Sequence, residues 1–367
     1  MKFYSLTNIL KKNARYNLIF GERSNGKTYS VQEYALKRFW EHGEQLAVIR
    51  RWREDYRGKR GGQYFDNLSC NGKGVNVIKK LTGGMYDRII FNCSKWYLAY
   101  FDEQLQKMIT HEKPFAFAFA LTEMEHEKGN SYPDITTVLF DEFMTRSAYL
   151  PDEFVIFMNT LSTIIRHRDN VTVFMCANTV SKFCPYFNEM GLNHVKQMQK
   201  GDIDVYKYGN GKLIVAVEYS DSPNIFKPSD VYFAFDNPKL QMITGGAWEL
   251  DFYPHLNIKY EKKDIMFTYF IEFDKHLFQA DIVMTSKHQF TYIHAKTTAI
   301  KYPDKDILFT PIPDEHRNHY SNLNKPVDKI SKRIIYFFLS NKVFYQSNDI
   351  GEVVNQFIIN GKKILLK

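Results

Sequence analysis

Apolar positions in the first two-thirds of the chain fall into short unbroken runs, separated by longer stretches of helical periodicity. Residues 16–20 (YNLIF), 45–50 (QLAVIR), 115–121 (FAFAFAL), 134–143 (DITTVLFDEF) and 170–179 (NVTVFMCANT) read as buried strands. Residues 87–92 and 96–101 read as two shorter strands flanking 92–95. Between them, 27–43 and 151–168 carry helical spacing, the first ended by Gly43. Residues 51–68 (RWREDYRGKRGGQYFDNL) show neither period and read as a glycine- and charge-rich connection. Strands separated by helical crossovers predict an α/β domain with a mainly parallel sheet, whose chemistry sits at the strands' C-terminal ends.

The texture changes near 220. Residues 221–250 are rich in Pro, Gly, Asn and Asp and read as a lid or linker. Short aromatic strands follow at 265–273, 277–284 and 289–295, with a helix at 325–341. The expected division is therefore an α/β domain over 1–220, the lid over 221–250, and a small α+β domain over 251–367.

The stretch GERSNGKTYS, 21–30, fits G-x-x-x-x-G-K-[ST] through Gly21, Gly26, Lys27 and Thr28. It lies between an apolar strand and an amphipathic helix, which is the context that a phosphate-cradling loop requires. Backbone N–H groups across Gly21, Glu22, Arg23, Ser24, Asn25, Gly26, Lys27, Thr28 and Tyr29 would wrap the phosphates of ATP. Lys27 would reach the β- and γ-phosphates, and the Thr28 hydroxyl would ligate Mg2+. Arg23, inside the loop, is a candidate for an in-cis contact to the γ-phosphate.

The run TTVLFDE has the form of a Walker B strand, with Asp141 holding magnesium beside Thr28 and Glu142 polarising the attacking water. A glutamate directly after the aspartate points to RecA-like motors and away from GTPases and nucleotide kinases. Asn178, ending the next strand, sits at a sensor position. Charge building on the γ-phosphoryl oxygens asks for a further cation, commonly from a neighbouring subunit. Arg166, Arg168, Arg146 and Lys128 are the candidates.

Composition narrows the field only modestly. With 44% apolar and 16% aromatic residues the chain is globular. A formal charge of +8 favours an acidic partner such as nucleic acid. Cys70, Cys93, Cys176 and Cys184 show no metal-type pairing or disulfide framework, which suits a reducing cytosol. No apolar run approaches a membrane span, so no membrane partner is expected. Residues 50–60 carry six basic residues against two acids. Arg57, Lys59 and Arg60, with Gly58, Gly61 and Gly62 giving mobility, could track a phosphate backbone without reading sequence. In the C-terminal region Glu272, Asp274 and Asp281 could form a two-metal site, but they read better as solvated hairpin acids.

Taken together, YNLIFGERSNGKTYS, SYPDITTVLFDEF, TIIRHRDN and FMCANTVS resemble the DNA-packaging (encapsidation) ATPases of small phi-29-like tailed phages. That resemblance implies an additional-strand, conserved-glutamate P-loop ATPase domain and a vestigial RNase H-like nuclease domain lacking the acidic metal site. It implies ATP-driven movement of double-stranded DNA by a homopentameric ring on the phage portal, or connector, with a packaging RNA as a further contact. It places the protein in the host cytoplasm, transiently on the procapsid, and outside the mature virion. Alternative readings are a helicase or helicase loader, a large-terminase-like ATPase with an active nuclease, or a regulatory ATPase that only switches shape.

Overall fold

The computed structural model describes residues 4–71, 74–127, 129–145, 149–150, 152–179, 184–221, 253–302, 305–311, 318–320 and 329–364. The expected lid at 221–250, and the candidates Lys128 and Arg146, lie outside these residues apart from Asp221. The chain divides into two units, Met1–Thr145 with Asp152–Glu249, and Arg146–Pro151 with Leu250–Lys367.

In the first unit the described strands are β1 (Tyr16–Gly21), β2 (Gln45–Arg50), β3 (Arg88–Asn92), β4 (Lys95–Asp102), β5 (Lys107–Thr110), β6 (Ala116–Ala120), β7 (Ile135–Asp141), β8 (Thr172–Asn178), β9 (Ile203–Tyr208) and β10 (Leu213–Ser220). They form one sheet ordered β3-β4-β6-β2-β7-β8-β1-β10-β9, with β5 on β4. The six strands from β6 to β10 in that order run parallel, while β9 and β4 run antiparallel at the two sides. Strand β8 lies between β1 and β7, which makes it the additional strand that the sequence reading anticipates.

Parallel strands are buried on both faces, and the apolar runs reflect this: Leu18, Ile19 and Phe20, Leu46 to Ile49, and Val138 to Phe140 are all buried. The Lys27–His42 helix covers one face with Val31, Ala35, Leu36 and Phe39, spaced to share one side. Gly43, at φ 71°, ends it in the left-handed conformation.

The 51–68 segment departs from its reading as an open connection. It folds into a 3-10 turn at Arg53–Tyr56 and short helices at Lys59–Gln63 and Asp66–Ser69. Gly61 does not supply mobility. It is buried where a side chain would strike the Phe91 ring and the Tyr56 carbonyl, and Trp96 Nε1 donates to its carbonyl at 2.8 Å. Tyr56 is buried too, donating to the Val48 carbonyl at 2.9 Å. Apolar anchors invisible to a local reading thus pin half of this basic segment to the core.

The second unit has β11 (Ile265–Phe273), β12 (His276–Met284), β13 (Gln289–Ala295), β14 (Ile307–Phe309), β15 (Asn318–Tyr320) and β16 (Val343–Tyr345), ordered β15-β14-β11-β12-β13-β16. An antiparallel meander, β11 to β13, carries β14 parallel to its first strand and β15 parallel to β14. Strand β16 lies parallel to β13 at the other side. Helices Lys329–Leu339 and Asn348–Ile364 complete the described part.

Asp281 is not a solvated hairpin acid. It is buried on β12 and accepts from Thr268 Oγ1 at 2.8 Å and Gln279 Nε2 at 3.1 Å, with His294 Nε2 at 3.0 Å. Burial pushes its pKa up, but the bonds from His294, Gln279 and Thr268 outweigh it and hold the carboxyl below its usual range. Burial lowers the His294 pKa, and its bonds to Asp281 and to the Ala295 carbonyl together more than reverse that. Because the folded His294 pKa is raised, the pair's contribution is fully present below the unfolded value of 6.5 and is lost as pH rises through the folded value. The difference in melting temperature between wild type and His294→Gln should therefore be largest near pH 6 and shrink by about pH 9. Differential scanning across that range would show it, and a pH-independent difference would mean that the pair does not form.

Candidate functional site

The sheet register brings the strand ends together. Gly21 is level with Asn178 and Ser220, Asp141 with Cys176, and Ile49 with Phe140. Arg50, Asp141, Glu142, Asn178 and the 21–28 loop therefore share one edge of the parallel sheet, where side chains from separated strands can meet. Gly26 caps the following helix at φ 92°, a left-handed conformation natural to glycine, so that Lys27 opens the helix directly.

A cavity of about 550 Å³ opens at this edge, lined among others by Lys27, Thr28, Arg50, Asp141, Glu142 and Asn178. Lys27 is 5% exposed, yet its ammonium meets only uncharged oxygens among the described residues. It donates to the Glu22 carbonyl at 2.5 Å and Asn25 Oδ1 at 3.0 Å, with Asn178 Oδ1 at 3.5 Å. Burial pulls its pKa down to about 8, against the field of the Asp141 and Glu22 carboxylates. A buried cation held by neutral acceptors gains most from an anionic ligand. Asn25 is held in turn, its side chain donating to Ser220 Oγ at 2.9 Å.

Thr28 Oγ1 donates to Asp141 Oδ1 at 2.8 Å, so the hydroxyl and carboxylate expected to share a magnesium ion already stand side by side. Hard oxygen donors of this kind suit that ion. Glu142 sits in a left-handed turn at φ 61° directly after β7, with its side chain 62% exposed. Its N–H donates to the Cys176 carbonyl at 2.8 Å and its carbonyl accepts from Arg51 at 3.3 Å, so the backbone is fixed while the carboxylate is presented outward. Arg23, Ser24 and Tyr29 lie exposed or half-exposed in and just after the loop.

Two arginines of the basic run belong to this site, although the sequence reading did not place them there. Arg50 Nη2 donates to Asp141 Oδ2 at 2.7 Å, and Tyr64 donates to the same oxygen at 3.0 Å. Arg51 is buried and grips Glu153 through two 2.7 Å bonds while donating to the Phe143 carbonyl at 2.9 Å. Their signal was position: Arg50 ends β2 beside β7, where a cation meets the Walker B acids, and Arg51 follows it directly.

The trans-acting candidates separate. Arg168 is part-buried and donates to the carbonyls of Ile135 at 2.6 Å, Ile164 at 2.8 Å, Pro133 at 2.9 Å, Tyr132 at 3.0 Å and Ile165 at 3.1 Å. It clamps the end of the Glu153–Ile165 helix to the start of β7, and reaching another subunit would break that clamp. Arg166 is exposed at the helix C-cap, donating to the Asn130 carbonyl. Arg57, Lys59 and Arg60 are exposed, with Arg57 4.0 Å from Glu54 and Arg60 donating to the Glu54 carbonyl at 3.3 Å.

Fold and site together define a RecA-like α/β protein with an additional strand between its loop strand and its acid strand. The profile of the podovirus DNA encapsidation protein (Gp16) family matches residues 1–92 and 100–222, more than half of the chain, and the chain belongs to that family. It is 29% identical over 188 residues to the DNA packaging protein of Bacillus phage B103, covering 48% of each chain. It is 27% identical over 188 residues to that of Bacillus phage phi29, covering 50% of this chain and 49% of the other. The chain thus spans about half the length of the curated relatives it matches. Among solved structures it is similar to the phi-28 gp11 DNA packaging motor, with TM-score 0.53, 18% identity and coverage of 97% of both chains. The phi-29 genome packaging motor assembly gives TM-score 0.56 at 18% identity, covering 99% of this chain and 98% of that one. At such identity the likeness shows the fold.

Proposed function

We propose that this chain is the ATPase of a genome-packaging motor, hydrolysing ATP with magnesium to drive double-stranded DNA into a viral procapsid. The observation that carries the reading is the buried Lys27 ammonium, surrounded by neutral oxygens in a cavity that Thr28, Asp141 and Glu142 also line. In this reading the 21–28 loop binds the phosphates, Thr28 and Asp141 hold the metal, and Asn178 orients the γ-phosphate side. Glu142 takes the proton of the attacking water. Magnesium would neutralise charge on the phosphate oxygens. Arg166, exposed at a helix end, is the best placed of the described trans candidates, which fits a homo-oligomeric ring completing each site from its neighbour. The pentameric state, the portal and packaging RNA as partners, and action on the procapsid rest on the family resemblance. Among the described residues no helix is long and apolar enough to cross a membrane.

Double-stranded DNA should bind through Arg57, Lys59 and Arg60 at its phosphates. Replacing all three by alanine should weaken binding, and each lost contact should lower the salt slope by about one unit, independent of sequence. The Glu54 contacts hold part of this charge on the surface, so the loss should fall below the full three contacts. Fluorescence anisotropy across a salt series would measure it, with melting temperature as the folding control. An unchanged slope would move the DNA grip elsewhere. Absence of magnesium-dependent ATP hydrolysis by the purified wild type, with and without DNA, would refute the motor reading itself.

A further inference from the structure

We infer that Arg50 is a nucleotide-responsive residue of this site: it occupies Asp141, yields that carboxylate to magnesium, and turns onto the γ-phosphate of ATP. This rests on the proposed ATPase reading.

The placement follows from the sheet. Arg50 ends β2, and the register beside β7, Ile49 level with Phe140, carries it to Asp141. Its Nη2 is 2.7 Å from Asp141 Oδ2, which Tyr64 also engages, while Thr28 takes Oδ1. The carboxylate that would ligate a metal is thus already shared with a full positive charge. A dication and a guanidinium sharing one carboxylate repel each other, which favours exchange of one for the other.

Arg50 has somewhere to go. Its guanidinium carbon lies 5.3 Å over the Tyr64 ring centroid, a face along which a planar cation can slide. Glu142 Oε1 is 3.8 Å from the same Nη2, so the guanidinium stands between the metal-site acid and the expected base. Its Nε is buried and lacks a hydrogen-bond partner among the described residues, so pairing with Asp141 leaves a donor unsatisfied. A phosphoryl group, with several oxygens in one plane of approach, would satisfy the fork more completely. Arg51 supplies the contrast. Its guanidinium is buried in Glu153 and in the carbonyls of Glu142 and Phe143, which makes it a brace, whereas Arg50 is 20% exposed and lines the cavity.

The competing explanation is a static pair that ties β2 to β7. Two readouts on the full chain separate them. The first is the magnesium concentration that half-saturates the metal-dependent rise in melting temperature, measured without nucleotide. The second is the preference for a fluorescent (N-methylanthraniloyl) ATP over the matching ADP in magnesium. Arg50→Gln should lower the half-saturating magnesium about tenfold and reduce the ATP preference about tenfold. Arg50→Lys, which keeps the charge and the fold but loses the planar fork, should leave the magnesium midpoint within about twofold while cutting the ATP preference at least about threefold. If Arg50→Gln leaves the magnesium midpoint at the wild-type value, the exchange is refuted. If Arg50→Lys keeps the wild-type ATP preference, the γ-phosphate contact is refuted, and this holds even if Arg50→Gln fails to fold. Failure of the wild type to bind the ATP analogue would overturn the nucleotide reading and not the role of Arg50 alone.

Discussion

Glu142→Gln should bind ATP as the wild type does and turn it over roughly a thousandfold more slowly, in the range general-base removal produces. The geometry makes this substitution informative. The Glu142 backbone is held by the Cys176 carbonyl and by Arg51, so glutamine keeps the same turn and only the carboxylate's basicity is lost. A left-handed φ of 61° at a non-glycine residue costs about 1–3 kcal/mol, a strain the surrounding contacts sustain and that an isosteric change does not alter. Lys27→Ala should do the opposite, abolishing tight ATP binding, because it removes the buried cation that meets the ground-state phosphates. Single-turnover hydrolysis beside fluorescent ATP titration measures both. Wild-type turnover in Glu142→Gln would remove Glu142 from the role of base.

Arg51→Met should destabilise the first unit by about 3–5 kcal/mol, because it leaves the Glu153 carboxylate buried without its cation. Glu153 is 3% exposed, and apart from Arg51 it accepts from the Tyr186 hydroxyl at 2.9 Å. For a unit of this size that corresponds to a fall in melting temperature of about 6–20 °C. The double variant Arg51→Met/Glu153→Leu should recover much of the loss, since paired removal leaves no buried charge. Its turnover should stay depressed, because Arg51 also holds the carbonyls of Glu142 and Phe143. Calorimetry on the single and double variants decides this. A single variant as stable as wild type would show the pair to be solvated.

The sequence by itself determined the elements that carry the site. Short apolar runs rich in β-branched and aromatic residues fit strands buried on both faces, and Gly26 before Lys27 starts a helix because glycine accepts the left-handed turn that precedes it. The loop, the acid pair and the asparagine end their strands in the order written along the chain. Strand β10 escaped this reading, although it pairs with β1 through Val215 to Ser220 and puts Ser220 against Asn25. The Glu261–Asp264 capping contacts and the Asp281–His294 pair were equally hidden, since their partners are decided by folding.

What only the tertiary structure decided was how the charges divide. Along 50–60 six basic residues look alike as a run. In the fold Arg50 turns to Asp141, Arg51 to Glu153, and Arg57, Lys59 and Arg60 face solvent. Arg166 and Arg168 stand two positions apart, yet one is exposed and the other is consumed by five carbonyls. The physical reason is the same in each case. A strand's period and a loop's glycines act through neighbouring residues, whereas a guanidinium's partner is fixed by which strands the sheet lays side by side. Strand order is a long-range outcome that no local pattern encodes.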